Sequence, residues 1–330
     1  MPVVLFTCAG QRVDIVSAFA RAGATTLAVD VDRLAPALYA AGRRSLVPPV
    51  RDPGYIYALR QLVDEHDVRL IVPLADLDHL LLATERDRLG MLVLLPGVDA
   101  IRLCEDKYAA HNFFVANEIA TPATWLPEEL PGDLPFPVLV KARRGFGSRH
   151  IYRATDRGEL DFFLGHTTAD SMVQEVCEGE EFSIDVFCDL DARCLNAIPR
   201  TMIESKGGES IKGMTIKDSQ LIDHGRRVAE AMRMVGPANI QCFREPDGSL
   251  PVTDVNPRFG GGFPLPTAAG SRYPELALAL ANGERPEPRL GDFREGVVMT
   301  RFFSQVVLRE VGDGTYEPLA DAAEAVPEEA

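Results

Sequence analysis

The chain has 330 residues, 46% hydrophobic and 25% charged, with a formal net charge of −15, the composition of a globular protein long enough for two or three packed domains. The acidic balance argues against a nucleic-acid partner, because no basic stripe exists to neutralise phosphates along a duplex. No apolar run approaches the ~20 residues that span a bilayer, so a membrane partner is not expected either.

Residues 1–105 alternate strands and helices. Val3–Thr7 is an apolar strand ending in Cys8-Ala9-Gly10. It lacks the basic start and cleavage site of a signal peptide, so a cytoplasmic location is the default expectation. Val13, Ile15, Val16 and Phe19 then follow at helical spacing up to Gly23, a natural C-cap. Thr26–Asp30 is a second strand. Tyr55–Glu65 reads as a helix, Leu70–Leu74 as a strand, Leu77–Leu89 as a helix, and Met91–Leu95 as a strand stopped by Pro96-Gly97. This βαβ rhythm implies a parallel sheet covered on both faces. The first turn has one glycine where a dinucleotide fingerprint needs three, which argues against nicotinamide chemistry. Arg12, at the following helix start, is a candidate for facing an anion.

Residues 106–190 open with a helix over Lys107–Asn117 and a proline-rich connector over Thr121–Pro135. The apolar strand Phe136–Lys141 then ends in a lysine and runs into Ala142-Arg143-Arg144-Gly145-Phe146-Gly147-Ser148. A lysine leaving a strand beside a Gly-x-Gly-Ser turn lets backbone N–H groups approach a polyphosphate while the ammonium neutralises it. An ordinary hairpin with a solvated basic cluster is the alternative. The strand Ser171–Cys177 leads through Glu178-Gly179-Glu180-Glu181 into a strand over Phe182–Cys188. Glu181 is placed to hold a ribose hydroxyl pair while the backbone around Glu175 to Cys177 reads an adenine edge, although a simple acidic turn fits the same residues.

Residues 191–310 begin with a strand over Cys194–Arg200. The polar, glycine-rich stretch Thr201–Thr215, with Glu204, Lys206, Gly207, Gly208 and Lys212, has the character of a mobile cover. Ser219–Met234 is an amphipathic helix with Ser219 near its N-cap. Asn239-Ile-Gln241 and, after a Pro-Asp-Gly turn, Asp254-Val-Asn256-Pro-Arg258 then form a hairpin. Asp254 and Asn256, two apart, share one strand face. With Gln241 on the neighbouring strand they gather the hard oxygen ligands that suit Mg²⁺, and Arg258 at the strand exit can hold a phosphate or carboxylate in its planar fork. A helix over Pro274–Ala281 and a strand over Val297–Val307 carrying Arg301 close the segment. Residues 311–330 hold six acids and no Lys or Arg, and are expected to be disordered or a frayed helix. The six cysteines form no CxxC pair and read as reduced, mostly buried small hydrophobes, without a zinc site.

The order strand-Lys, Gly-rich loop, Glu-Gly-x-Glu, polar loop, Asn-Ile-Gln and Asp-Val-Asn-Pro-Arg resembles the ATP-grasp superfamily. More closely, it is similar to stand-alone proteins resembling one synthetase unit of the carbamoyl-phosphate synthase large chain. The resemblance runs from residue 1 to about 305, and includes Ala35-Pro-Ala-Leu-Tyr39 and Cys104-Glu-Asp-Lys107. It implies an α/β fold: a Rossmann-like pre-ATP-grasp domain (1–105), then an ATP-grasp fold of two α+β subdomains (106–190 and 191–310), with 311–330 as tail. It further implies that Lys107 and Lys141 contact ATP phosphates under a loop containing Arg144, Gly145, Gly147 and Ser148. Gln174, Glu175, Val176 and Cys177 would border adenine, and Glu181 the ribose. Gln241, Asp254 and Asn256 would hold two Mg²⁺, with Mn²⁺ as an alternative ion. Asn239 and Arg258 would face the γ-phosphate, with Lys212 as a cover-loop cation. Asp254 stands where the family usually has Glu, which shortens its reach by a methylene.

The implied activity is an ATP-dependent carboxylate–amine ligase acting through an acyl phosphate on a small carboxylic or amino acid. Arg12, Glu204, Arg258 and Arg301 are candidates to face that substrate. Phosphorylation of bicarbonate or carbamate, or a non-catalytic ATP-binding subunit, are the alternatives. The expected partners are small-molecule carboxylates and amines, and a homodimer is an allowed assembly.

Overall fold

The computed structural model describes residues 1–145, 151–167, 170–206 and 209–319. The chain divides into two compact units, one formed by Met1–Val93 with the chain from Arg301 onward, the other by Leu94–Thr300. Among the described residues, no helix is long and apolar enough to cross a membrane, and all six cysteines are free thiols.

The first unit carries β1 (Val3–Thr7), α1 (Val13–Arg21), β2 (Thr25–Asp30), α2 (Pro36–Ala40), β3 (Arg43–Leu46), α3 (Tyr55–His66), β4 (Val68–Pro73), α4 (His79–Thr84), α5 (Arg86–Leu89) and β5 (Leu92–Val93). Its five strands pair in the order β3-β2-β1-β4-β5, all parallel. The expected parallel sheet is present, and Val4, Leu5, Phe6, Leu27, Val29, Leu70 and Ile71 are fully buried in it. The single helix expected over Leu77–Leu89 is two helices, interrupted at Glu85, which caps the end of one and the start of the next. The turn after β1 is tied down locally: the Gly10 N–H donates to Asp30 Oδ2 at 2.8 Å.

The second unit opens with α6 (Val98–Glu105) and α7 (Lys107–Ala116), then β6 (Thr124–Trp125), β7 (Val138–Ala142), β8 (Ile151–Ala154), α8 (Arg157–His166) and β9 (Ser171–Glu175). These strands form a small antiparallel sheet in the order β6-β9-β7-β8. Next come β10 (Glu180–Cys188), β11 (Cys194–Thr201), β12 (Glu204–Lys206), β13 (Glu209–Met214), α9 (Ser219–Ala231), β14 (Gly236–Arg244), β15 (Val252–Asn256), α10 (Pro264–Ala269), α11 (Tyr273–Ala281) and β16 (Val298–Thr300). A second four-stranded antiparallel sheet runs β11-β10-β14-β15, and a third of three strands runs β12-β13-β16.

The β11-β10-β14-β15 sheet is strongly two-sided, as period-2 alternation dictates. One face carries Phe182, Ile184, Val186, Ala238, Ile240 and Cys242 and packs on Leu221, Val228, Ala229 and Met232 of α9 and its C-cap. The contact is close enough to need a glycine, since a Cβ at Gly225 would stand 2.6 Å from Ile184 Cγ2. Ser219 follows directly on the N-cap of α9, Asp218, whose carboxylate accepts from the Gln220 and Leu221 amides.

The stretch expected as a mobile cover is the β12–β13 hairpin, paired on to β16; Gly207 and Gly208 lie outside the described residues. The closing strand expected over Val297–Val307 is confined to Val298–Thr300. Back in the first unit, β17 (Leu308–Gly312) and β18 (Thr315–Pro318) form a hairpin. Residues 311–318 of the expected tail are therefore ordered by strand pairing. Arg33 and Arg44 donate to the carbonyls of Gly314 and Tyr316, contacts between distant chain positions that no local propensity reports.

Replacing Gly225 by Ala is expected to lower stability by about 1–3 kcal/mol, the usual cost of overpacking a well-filled core. Urea unfolding checks this, with combination with Ile184→Ala expected to recover part of the loss.

Candidate active site

The polar face of the β11-β10-β14-β15 sheet is built from pairs set by register. Gln241 stands directly opposite Asp254 and Asn239 opposite Asn256. Ser183 and Asp185 of β10 pair with Gln241 and Asn239 from the other side. The ladder shifts between Gln241 and Cys242, leaving Thr253 as the extra residue of a bulge. This shift lets Val252 join the apolar core while Asp254 and Asn256 both face the polar side. Three oxygen-bearing side chains thus converge from two adjacent strands, as their spacing predicts.

Two lysines meet them. Lys141, at the end of β7, is only 8% exposed. Its ammonium is pushed down to about 8, first by burial and also by the nearby Lys107 charge, with Asp254 and Cys177 opposing. Lys107 is the first residue of α7; its Nζ lies 3.4 Å from Asp254 Oδ1 and donates to the Gly145 carbonyl at 3.1 Å. Asp254 also accepts from Asn256 Nδ2 at 3.4 Å, and Arg258 Nη2 donates to Asn256 Oδ1 at 3.2 Å. Asp106 fixes where Lys107 sits. It caps α7 through the Tyr108 and Ala109 amides and receives Arg143 Nε at 2.8 Å and Arg144 Nη2 at 2.6 Å. Burial acts to raise the Asp106 carboxyl, but these hydrogen bonds and guanidinium charges outweigh it and hold it below its ordinary value. The Lys107 amide meanwhile donates to the Arg143 carbonyl at 3.1 Å. The helix start and the β7 exit are one clamp, and both lysines depend on it.

A cleft of about 280 Å³ lies between the two four-stranded sheets of this unit. Its walls combine Lys107, Lys141, Gln241 and Asp254 with the apolar Leu139, Ile151, Val176 and Phe243. Gln174, Glu175, Cys177 and Glu181 line it too, so the residues expected around a base and ribose share a cavity with those expected around phosphates. Burial raises the Glu181 carboxyl against the pull of Arg200. The Cys177 thiol is pushed up to about 12 by burial and by Glu245, so it stays protonated and is no nucleophile. Gly179 explains the Glu-Gly-x-Glu spelling: a Cβ there would stand 1.8 Å from the Arg244 carbonyl oxygen, where the turn between β9 and β10 crosses the end of β14.

Other expected residues are placed differently. The Gln174 side chain is 3% exposed and donates to Thr124 Oγ1 at 2.9 Å, so its amide braces β9 against β6. Asn239 is 4% exposed and gives its amide to Asp185 Oδ1 at 2.8 Å and to Ser183 at 3.2 Å rather than presenting it to the cleft. Arg144 is held by Asp106 and Asp170. Lys212 and Glu204 pair with each other at 2.6 Å on the β12–β13 hairpin, outside the residues lining the cleft. Arg12 pairs with Asp14 and Arg301 opens the C-terminal part of the first unit. Gly147 and Ser148 fall outside the described residues. Sequence reasoning passed over Asp106, Thr124, Asp185 and Arg200, buried polar side chains whose partners are distant in the chain. Only the acidic residue ahead of a lysine-headed helix, an N-cap signal at Asp106, was there to be found.

Among the described residues no three His, Cys, Asp or Glu side chains gather into a metal centre. The Gln241, Asp254 and Asn256 set fits Mg²⁺ all the same, since its donors are hard oxygens and one carboxylate suffices when a ligand's phosphates complete the shell.

Comparisons with known proteins agree with this architecture. Residues 167–302 match the family model "ATP-grasp in the biosynthetic pathway with Ter operon", and residues 4–94 match "PylC-like, N-terminal domain". The carbamoyl phosphate synthase large chain of Agathobacter rectalis is 28% identical over 173 residues, 48% of this chain and 16% of that protein; the chain thus spans about a sixth of that relative. The biotin carboxylase domain of the Hydrogenobacter thermophilus 2-oxoglutarate carboxylase, solved as a dimer with MgADP, ADP and bicarbonate, superposes with a TM-score of 0.72 at 16% identity, covering 89% of this chain and 73% of that one. The L-amino acid ligase from Bacillus licheniformis superposes with a TM-score of 0.69 at 18% identity, covering 89% and 78%. The fold is shared with both.

Lys141 supplies a stability test. Its folded-state pKa of about 8 lies below the ordinary lysine value of 10.5, so the unfolded chain binds the proton more tightly. The penalty is full below about pH 8 and fades as pH rises through 10.5. Lys141→Met is expected to stabilise the protein at pH 7, by up to about 3 kcal/mol, with the gain shrinking toward pH 10. Thermal melts at both pH values check the sign.

Proposed function

We propose that this chain, a member of the ATP-grasp superfamily, is an ATP- and Mg²⁺-dependent, ADP-forming ligase that activates a small carboxylic or amino acid as its acyl phosphate and passes the acyl group to an amine. The observation that carries this reading is the meeting of Lys107 and Lys141 with Asp254, one carboxylate flanked by two cations in a cleft with apolar walls. Such a cleft suits a flat base at the apolar walls and a polyphosphate at the cations.

The chain's residues have separable tasks. Lys141, disfavoured as an ammonium by its burial, gains a counter-charge when a polyphosphate enters, so binding raises its pKa and holds it in the charged form. Lys107 exchanges its contact with Asp254 for a phosphate oxygen, which releases the carboxylate. Gln241, Asp254 and Asn256 are then the residues that would hold Mg²⁺, two ions by family resemblance, and the metal would supply neutralisation of the phosphate charge. Arg258, braced on Asn256, is placed to orient the γ-phosphate or the substrate carboxylate. A carboxylate oxygen attacks the γ-phosphorus, ADP leaves, and an amine nitrogen then displaces phosphate from the acyl carbon. No protein nucleophile takes part, consistent with the protonated Cys177. Phosphoryl transfer of this kind depends on positioning and charge more than on covalent help.

Phosphorylation of bicarbonate is the second reading, favoured by the match to the carbamoyl phosphate synthase large chain. One experiment separates the two: ADP and phosphate release with ATP and Mg²⁺ over a panel of amino acids, dicarboxylic acids and bicarbonate, each with and without an amine. Stimulation by one acid only when an amine is present supports the ligase. Stimulation by bicarbonate alone supports the second reading, and nucleotide binding without any turnover supports a non-catalytic subunit. Asn256→Ala is expected to keep the fold and lose turnover by roughly 100-fold or more; full activity in that variant removes the metal assignment.

A further inference from the structure

The polar sheet face holds a side chain that the proposed reaction does not use. Arg200 of β11 is 2% exposed, the largest fully buried side chain among the described residues. Its Nε donates to Asp185 Oδ2 at 2.8 Å, and Nη1 lies 3.1 Å from Met202 Sδ. The other Asp185 oxygen accepts from Asn239 Nδ2 at 2.8 Å, and the Asp185 carbonyl accepts from the Tyr273 hydroxyl at 2.7 Å. The segment after Arg258 lies directly on this pair. A Cβ at Gly260 would stand 2.6 Å from Asp185 Oδ1, and one at Gly262 would stand 2.5 Å from Arg200 Cζ. Gly260 and Gly262 are therefore required by the ion pair beneath them.

An arginine–carboxylate pair taken wholly out of water is a weak source of stability, because desolvation offsets most of the attraction. Such a pair is best at fixing direction, since both ends of the carboxylate are used. We infer that Asp185–Arg200 is a positioning pair for the phosphate-transferring end of the cleft. One carboxylate oxygen orients Asn239, which stands opposite Asn256 in the ladder; the guanidinium on the other oxygen supports the glycine run that leads back to Arg258. The two residues proposed for metal and phosphate are thus set from opposite sides by a single carboxylate. This inference rests on the function proposed above, and neither residue touches substrate; they act through Asn256 and Arg258.

The test uses the full chain with Asp185→Asn, Arg200→Lys, Arg200→Met and the double variant Asp185→Leu/Arg200→Met. Two quantities are read beside the melting midpoint: ADP affinity by calorimetry at stepped Mg²⁺, and kcat and KM for ATP with the best acid found. The expected result for the folded variants that keep the positive charge beside Glu181, Asp185→Asn and Arg200→Lys, is metal-free ADP affinity close to wild type, because the apolar walls of the cleft are untouched. The Mg²⁺ needed for half-maximal tightening should rise about tenfold or more, and kcat should fall about 10–100-fold with KM for ATP little changed, the range seen when groups behind a metal ligand are removed. Arg200→Lys, which keeps the charge and loses the fork, is expected to fall between. The double variant removes both buried charges and is expected to melt at or above wild type while keeping the Mg²⁺ and kcat defects. Where a single variant does not fold, the double variant decides. Wild-type Mg²⁺ dependence and kcat in the double variant, or in the folded singles, overturns the inference and leaves the pair as a space-filling strut, as does a double variant that fails to fold. Failure of wild-type protein to bind MgADP would instead overturn the proposed function, so the two failures are distinguishable.

Discussion

A single antiparallel ladder decides where everything else in the second unit can be. In the β11-β10-β14-β15 sheet, side chains alternate between a face buried under α9 and a face turned to the cleft, and a slip of one residue would exchange the two. The apolar set, Ile184, Val186, Ile240 and Cys242, leaves no freedom in the register, because each is fully buried. Burial of the α9 face is thus what holds Gln241 against Asp254 and Asn239 against Asn256. The bulge at Thr253 is the irregularity that sets the cleft face of β15. Without it, Val252 and Asp254 would lie on the same face, and either the core would lose a valine or the cleft its carboxylate.

The cationic side of the cleft is assembled by other means. Lys141 arrives at the end of a buried strand and Lys107 at the start of a helix, 34 residues earlier in the chain. Asp106 brings them together by capping α7 and gripping Arg143 and Arg144 at the same time. Burying an ammonium is costly, and the depressed Lys141 pKa records that cost. The protein accepts it at the one place where a polyanion is proposed to repay it on binding. The same logic extends to Asp185–Arg200, where charge is buried for geometry rather than stability.

Much of this was legible in the chain. The βαβ rhythm of residues 1–95, the lysine ending an apolar strand, and Asp254-Val-Asn256 at period two all report local geometry, and local geometry is what residue order encodes directly. The helix over Leu77–Leu89 misled because an apolar period continues through Glu85 while the backbone does not. The closing strand Val297–Val307 misled for the opposite reason: its β-branched and aromatic residues suit a strand, but β16 keeps partners only through Thr300. Residues 311–318 read as tail from their acids, yet Arg33 and Arg44 anchor their hairpin from nearly 300 positions away.

The ligand types, their spacing and the order of the motifs follow from the sequence alone, because a strand places residues two apart on one face whatever surrounds it. The sequence alone could not say which of those polar residues reach the cleft. Asn239 and Arg144 carry the right chemistry, but tertiary contacts with Asp185 and Asp106 claim their hydrogen-bonding groups, while Gln174 lines the cleft with its amide nitrogen already given to Thr124. Burial decides that outcome, because a polar side chain removed from water must satisfy its donors on the nearest partner, and which partner is nearest is settled only when distant segments pack.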